Sequence, residues 1–345
     1  MKKGIKLFSI LAVAVLMMSL LAACGGGGSK SSSNGDSGEK ASTKVLKLGF
    51  NQPENHPQYQ AMKEFGEKFY EETDGAYKIE IYPNELLGAQ REVLELVQSG
   101  TVSMSITPGS LLENINKDFV VFNLPYVFDS VEHQQAVLNN PDVTGDLYSS
   151  LEGDGLTVLG GFHGGVRNVY NSEKPVNTPE DLKGMKVRVM ESDTNIKMMQ
   201  LMGGVGTPMG QGEVYTAIQS GVLEGGENNE LIFNNLKHVE IAPYYSYTKH
   251  LMVPDYLMIN ANVLKGMSEE HQKILREGLV SAFDREYELF AEFVAEAKTA
   301  AEGQGAKFND VDITVFQDAV APLLEEKLEN DFQKDLYAKV RELAQ

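Results

Sequence analysis

The feature that most constrains this chain is a hydrophobic period that keeps switching between the strand repeat and the helix repeat. In "VLKLGF", Leu46, Leu48 and Phe50 alternate with polar or small neighbours, as in a strand with one buried face. From Gln58 to Glu72 the spacing turns helical: Met62, Phe65 and Phe69 share a face, and Gly75 marks the exit. "YKIEIY" alternates again through Tyr77, Ile79 and Ile81. A second helix is expected over about Leu87 to Gln98, with Val93, Leu94 and Val97 inward and Gly100 as its stop. "VSMSIT" then places Val102, Met104 and Ile106 on one face. This is βαβαβ, and its simplest solution is a parallel sheet flanked by helices.

The same grammar returns further on. "GLTVLGGF" and "VRNVYNS" read as strands. "TPEDLKG" reads as a short helix, with Thr178 as N-cap, Pro179 at the first position and Gly184 as its close. It feeds the strand of Val187 and Val189, which carries Arg188 near its carboxyl end. Helices follow in "SDTNIKMMQLMGG", with Ile196, Met199 and Met202 inward, and in "GEVYTAIQSG", with Val214, Ala217, Ile218 and Gly221. "YLMINANVL" is a strand, with Leu257 and Ile259 inside. A very long helix then starts at its Ser268 cap and runs to the Gly303 and Gly305 breakers, and a helical region closes the chain from about Val315. The folded part is long for one domain, so two lobes are expected. We place lobe I at 44–165 plus 255–293 and lobe II at 166–254 plus 294–345. In open sheets of this type ligands sit beyond the carboxyl ends of strands.

The first residues specify a destination. Lys2, Lys3 and Lys6 precede the apolar run "LFSILAVAVLMMSL" and then "LAAC". That is a charged region, a hydrophobic region and a small-residue processing site, a signal peptide over 1–23. The single cysteine, Cys24, follows Leu21-Ala22-Ala23 directly, which looks like a bacterial lipobox; there the cysteine is lipidated and becomes the mature first residue. Residues 24–43 are Gly/Ser/Asn-rich and read as a flexible tether. One cysteine also rules out internal disulfides, so the core must supply stability. Removal of Lys2, Lys3 and Lys6 with the leader takes the formal charge from −19 to −22, and no basic stripe remains. Nucleic acid and anionic lipid surfaces are therefore disfavoured partners.

No enzyme signature stands out. His56, His133, His163, His238, His250 and His271 show no metal-ligand spacing, and no nucleophile elbow or Walker loop is present. "GGVGTP" is Gly-rich but follows a helix, so it reads as a turn. What remains is a set of polar residues at strand ends: Arg167, Arg188, Glu191, Glu213, Asn228 and Asn229. An arginine fork matches a carboxylate bidentately. On composition alone, each arginine is more readily the partner of an internal acid than the clamp on a ligand.

The run from "GMKVRVMESD" to "VLEGGENN", with "FNLPYVF", "GGVRNVYNSEKPV", "TPEDLKG" and "NELLGAQREVLELVQSG" in order before it or within it, resembles the DctP-type solute-binding subunits of tripartite ATP-independent (TRAP) transporters. The resemblance implies an α/β, two-lobed, periplasmic-binding-protein-like fold with a ligand cleft between lobes and a long spanning helix. It implies a binding protein that hands an organic acid to TRAP membrane permease subunits, acts as a monomer and is held at the membrane by a lipid on Cys24; no cofactor is expected, and the residues offer no metal-ligand set of their own. Carried over by motif, Arg188 clamps the ligand carboxylate, Arg167 is a second cation, and Asn228 donates to the same group or a nearby hydroxyl. Glu191, three residues after the clamp, would repel a second ligand carboxylate and accept from sugar hydroxyls. "ENN" and "HLMVPDYL" look like the branch that takes hexuronates. His56 reads either as a contact from the other lobe or as a loop cap. Asn229 and Gln90 are further contacts, and Arg91 is a weaker one. Glu213 is expected to orient the arginines or the start of a helix, and His163 to line the cleft or the core. A C4-dicarboxylate or keto acid is the alternative ligand, and a secreted sugar-acid enzyme or a sensor component the alternative role.

Overall fold

The computed structural model describes residues 42–344. The leader, Cys24 and nearly all of the tether lie outside that range. Among the described residues, eleven strands form two sheets. The first has the order β2-β1-β3-β10-β4, from β1 (Lys44–Gly49), β2 (Tyr77–Tyr82), β3 (Met104–Pro108), β4 (Leu156–Phe162) and β10 (Asp255–Asn260). The second has the order β11-β9-β5-β8-β6-β7, from β5 (Arg167–Asn171), β6 (Lys186–Val189), β7 (Val205–Pro208), β8 (Gly225–Asn228), β9 (Tyr244–Leu251) and β11 (Lys307–Asp310). The helices are α1 (Pro57–Glu72), α2 (Gln90–Gln98), α3 (Gly109–Leu112), α4 (Val131–Leu138), α5 (Pro141–Ser149), α6 (Asp193–Leu201), α7 (Val214–Gln219), α8 (Glu230–Asn235), α9 (Ala261–Lys265), α10 (Glu269–Gly303), α11 (Thr314–Lys327) and α12 (Asp331–Glu342).

The opening βαβαβ forms as the periodicity predicts: β1 pairs in parallel with β2 and with β3. Ala61, Met62, Phe65 and Phe69 bury one face of α1. The helix α2 starts at Gln90, later than the pattern suggests, because Gly88 and the Ala89 cap precede it. Neither sheet is wholly parallel. β10 returns antiparallel between β3 and β4, and β5 runs antiparallel to both β8 and β9.

Several local expectations change. The segment at Pro179–Leu182 is a single 3-10 turn, closed by a capping box from Thr178 and Asp181; four residues are too few for an α-helical ladder. "GGVGTP" contains the edge strand β7, which pairs with β6 through backbone bonds that need no apolar side chains. In α6 the inward residues are Met198 and Met199, while Ile196 is only half-buried.

The helix α10, about 50 Å long at the helical rise, packs on α1 and β4 with its first half and on α8 with its second. It is the spanning helix that the resemblance implies. The helix α11 lies against α6. The sequence reading groups 294–345 with the second sheet, yet α12 packs on α5 and on the 3-10 turn at Lys117–Asn123, beside the first. One apolar cluster runs from Val97 and Phe122 through Tyr256 to Val187, Met199 and Phe316, so the two sheets share a core.

Candidate functional site

Arg188 stands third in β6 and is 3% exposed. Its Nε donates to the Met209 carbonyl at 2.9 Å. Among the described residues no carboxylate lies within 4 Å of its guanidinium, and its two Nη groups have no protein acceptor. Burial pulls its pKa down, and although the Glu227 charge resists, the charge of Arg167 adds to the fall. A buried cation without a counter-ion is costly, so it is poised to accept an anion.

Arg167 opens β5 and is equally buried, but it is committed. Its Nε reaches Glu227 Oε2 at 2.5 Å, and its Nη2 reaches Glu227 Oε1 and the Glu227 carbonyl, both at 2.8 Å. The internal pair that composition alone allows for each arginine forms at Arg167 and not at Arg188. Burial disfavours the Glu227 charge, but Arg167 and the adjacent His250 ring, whose Nε2 lies 3.5 Å from Glu227 Oε2, outweigh it and hold its pKa at about 2. Sequence reasoning missed Glu227. The only signal was its place next to Asn228 in β8, beside β5 in the ladder.

Asn228 sits between the two arginines' strands. Its Oδ1 accepts from Arg167 Nη1 at 3.3 Å and from the Asn229 amide at 2.9 Å, leaving its Nδ2 uncommitted. Asn229 caps α8 through the Ile232 amide and donates to the Gly164 carbonyl, so both its ends are used.

From the first sheet, His56 is the N-cap of α1: its Nδ1 accepts from the Gln58 amide at 3.3 Å. Burial lowers its pKa to about 3, so the ring is neutral and its proton stays on Nε2. The loop-cap reading therefore holds, and Nε2–H remains a donor. His163 is buried against Tyr287 and Phe290, with Nδ1 at 2.5 Å from Gln134 Oε1. Glu191 pairs with Arg91 of α2 at 3.5 Å. Gln90 is half-buried at the start of α2. Glu213 is exposed and pairs with no arginine among the described residues. Glu85, another residue the sequence did not single out, approaches Arg188 from the first sheet with its pKa raised by burial.

A cavity of about 920 Å³, with neither Arg188 nor Asn228 in its wall, is lined by Tyr126, Phe128, His163, Tyr247, Tyr287 and Phe290. Four carboxylates, Asp129, Glu132, Glu230 and Asp310, face only Lys249 and Lys298 there, which suits a small anion poorly. Among the described residues no group of three or more His, Cys, Asp or Glu could hold a metal ion.

Against known proteins, a family model described as bacterial extracellular solute-binding protein, family 7 (DctP), matches residues 48–331. A TRAP periplasmic solute-binding protein from Anaerococcus prevotii, solved with bound D-glucuronate, is 37% identical, with a TM-score of 0.85 over 87% of this chain and 98% of that one. One from Xanthobacter autotrophicus Py2, with bound β-D-galacturonate, is 29% identical, with a TM-score of 0.84 over 87% and 100%. The 2,3-diketo-L-gulonate-binding periplasmic protein YiaO of Escherichia coli K12 is 29% identical over 82% of this chain and 87% of its own length.

Proposed function

The chain belongs to the DctP family of bacterial extracellular solute-binding proteins, which serve TRAP transporters, and on that premise we propose that it captures a hexuronate such as glucuronate or galacturonate and delivers it to the membrane permease subunits of a TRAP system. The observation that carries the proposal is Arg188: buried, tethered at Nε, and with no carboxylate within 4 Å of its guanidinium among the described residues. A ligand carboxylate would complete it bidentately. Asn228 Nδ2 and His56 Nε2–H are the neutral donors best suited to the same carboxylate or to ring hydroxyls. Arg167 serves behind them, fixing Asn228 through Oδ1. Glu191 shares its charge with Arg91, so it works as an acceptor for hydroxyls more than as a barrier to a second carboxylate.

Each sheet with its helices forms a lobe, and the lobes close over the acid by rotating about the crossings at 163–166 and 252–254. The role is binding and release without catalysis, by a monomer whose acyl group on Cys24 holds it at the outer face of the membrane. The likeness to YiaO favours a second ligand of the same chemistry, a keto sugar acid.

A thermal-shift panel on the purified protein separates these readings. It would contain glucuronate, galacturonate, keto sugar acids, C4-dicarboxylates and neutral sugars. A ligand at about a hundred times its Kd adds roughly 2.7 kcal/mol, several degrees of Tm. A shift with a uronate that is absent with neutral sugars supports the proposal. A shift confined to dicarboxylates would remove the sugar-acid assignment and keep the clamp.

A further inference from the structure

The turn that follows β7 joins Arg188 to the opposite sheet, and we infer that residues 209–212 form a strap that couples ligand capture at Arg188 to closure of the cleft. At one end Arg188 Nε holds the Met209 carbonyl at 2.9 Å. Two residues on, the buried Gln211 side chain reaches the loop after β1, 159 positions away in sequence. There the two primary amides pair reciprocally: Gln211 Nε2 donates to Gln52 Oε1 at 3.0 Å, and Gln52 Nε2 returns a bond to Gln211 Oε1 at 3.4 Å. Asn51 Nδ2 adds a third bond to Gln211 Oε1 at 3.4 Å. Next along, the Glu85 carboxylate lies against the Gly212 backbone. A Cβ at 212 would meet Glu85 Oε2, so the two segments are in close contact there.

The chemistry suits a reversible fastening. Neutral amide bonds are exchanged for water at little net cost when the surfaces part. They hold only when several form together, and here one segment brings all of them. The ion pair of Arg91 with Glu191 is half-exposed and contributes little to holding the surfaces together. The coupling rests on the reading that Arg188 takes a carboxylate. An anion on its Nη groups fixes the guanidinium plane, the fixed plane holds the Met209 carbonyl, and the strap is then presented to Gln52 in the geometry that pairs.

Two measurements test this. The first needs no ligand: amide hydrogen exchange of the purified protein against its Gln52→Ala variant. The strap predicts exchange several-fold faster across 209–213, with protection in α10 unchanged as the control for global unfolding. Equal exchange at 209–213 would overturn it. The second is glucuronate dissociation by stopped flow. Gln52→Ala and Gln211→Ala should each speed dissociation about tenfold, and the double variant no more than either alone. Effects that multiply in the double variant would mean independent ligand contacts and no strap. Should the wild-type protein bind no sugar acid, the functional proposal fails, while the exchange measurement still decides whether the fastening exists.

Discussion

At the scale of single residues, the two arginines illustrate how far sequence carries. The motifs located both, but the rotamer that turns Arg167 onto Glu227 depends on a partner 60 positions away across the β5–β8 ladder. No local pattern shows that pairing. His56 was legible as a cap because Pro57 follows it at the first helical position. The distinction between the arginines predicts opposite mutants. Arg188→Ala should cost about 2–5 kcal/mol of binding, at least a thirtyfold rise in uronate Kd by calorimetry, with Tm unchanged or raised because a buried unpaired charge is gone. Arg167→Ala strands Glu227 in the interior and should lower stability by about 3–5 kcal/mol in urea titration.

Among the elements, the start of α6 is tied by side-chain hydrogen bonds to the segment after α3. The Glu113 carboxylate accepts from Asn123 Nδ2, from Ser192 Oγ at 3.2 Å and from Thr194 Oγ1 at 2.9 Å. Burial nevertheless raises its pKa from 4.5 to about 7. A carboxyl whose pKa is higher folded than unfolded favours folding below pH 4.5, and that contribution is lost as pH climbs towards 7. The loss is on the order of 3 kcal/mol. Glu113→Gln should flatten that limb of the stability–pH curve between pH 4.5 and 7, read by urea midpoints at each pH. A slope identical to wild type would remove Glu113 from the account. Elements with strong periodicity, such as α1, α10 and the opening strands, were legible in the sequence. β9, β11 and β7 were not, because they are held by sheet partners: β11 is only four residues at an edge, and β7 carries little apolar surface of its own.

The whole molecule is an acidic body, and Arg188, the cation proposed to take the ligand, is buried inside. Net charge repels an incoming anion at long range, whereas the proposed contact with Arg188 would be short and dry. The association rate of a uronate should therefore rise with salt, by roughly twofold from low to physiological ionic strength, while dissociation stays flat; a falling association rate would show that local cations steer the ligand instead. Two lobes and a spanning helix were expected from length and period. The placement of α12 beside the first sheet was not, since a helix with one apolar stripe does not say which surface it will cover. The position of β10 carries a consequence of timing. It lies between β3 and β4, so β4 stays unjoined to the rest of the first sheet until residue 260 has been made. A nascent chain of this design cannot finish its N-terminal half early. For a family that works outside the cytoplasm, the late strand keeps the polypeptide unfinished, and so threadable, for most of its synthesis.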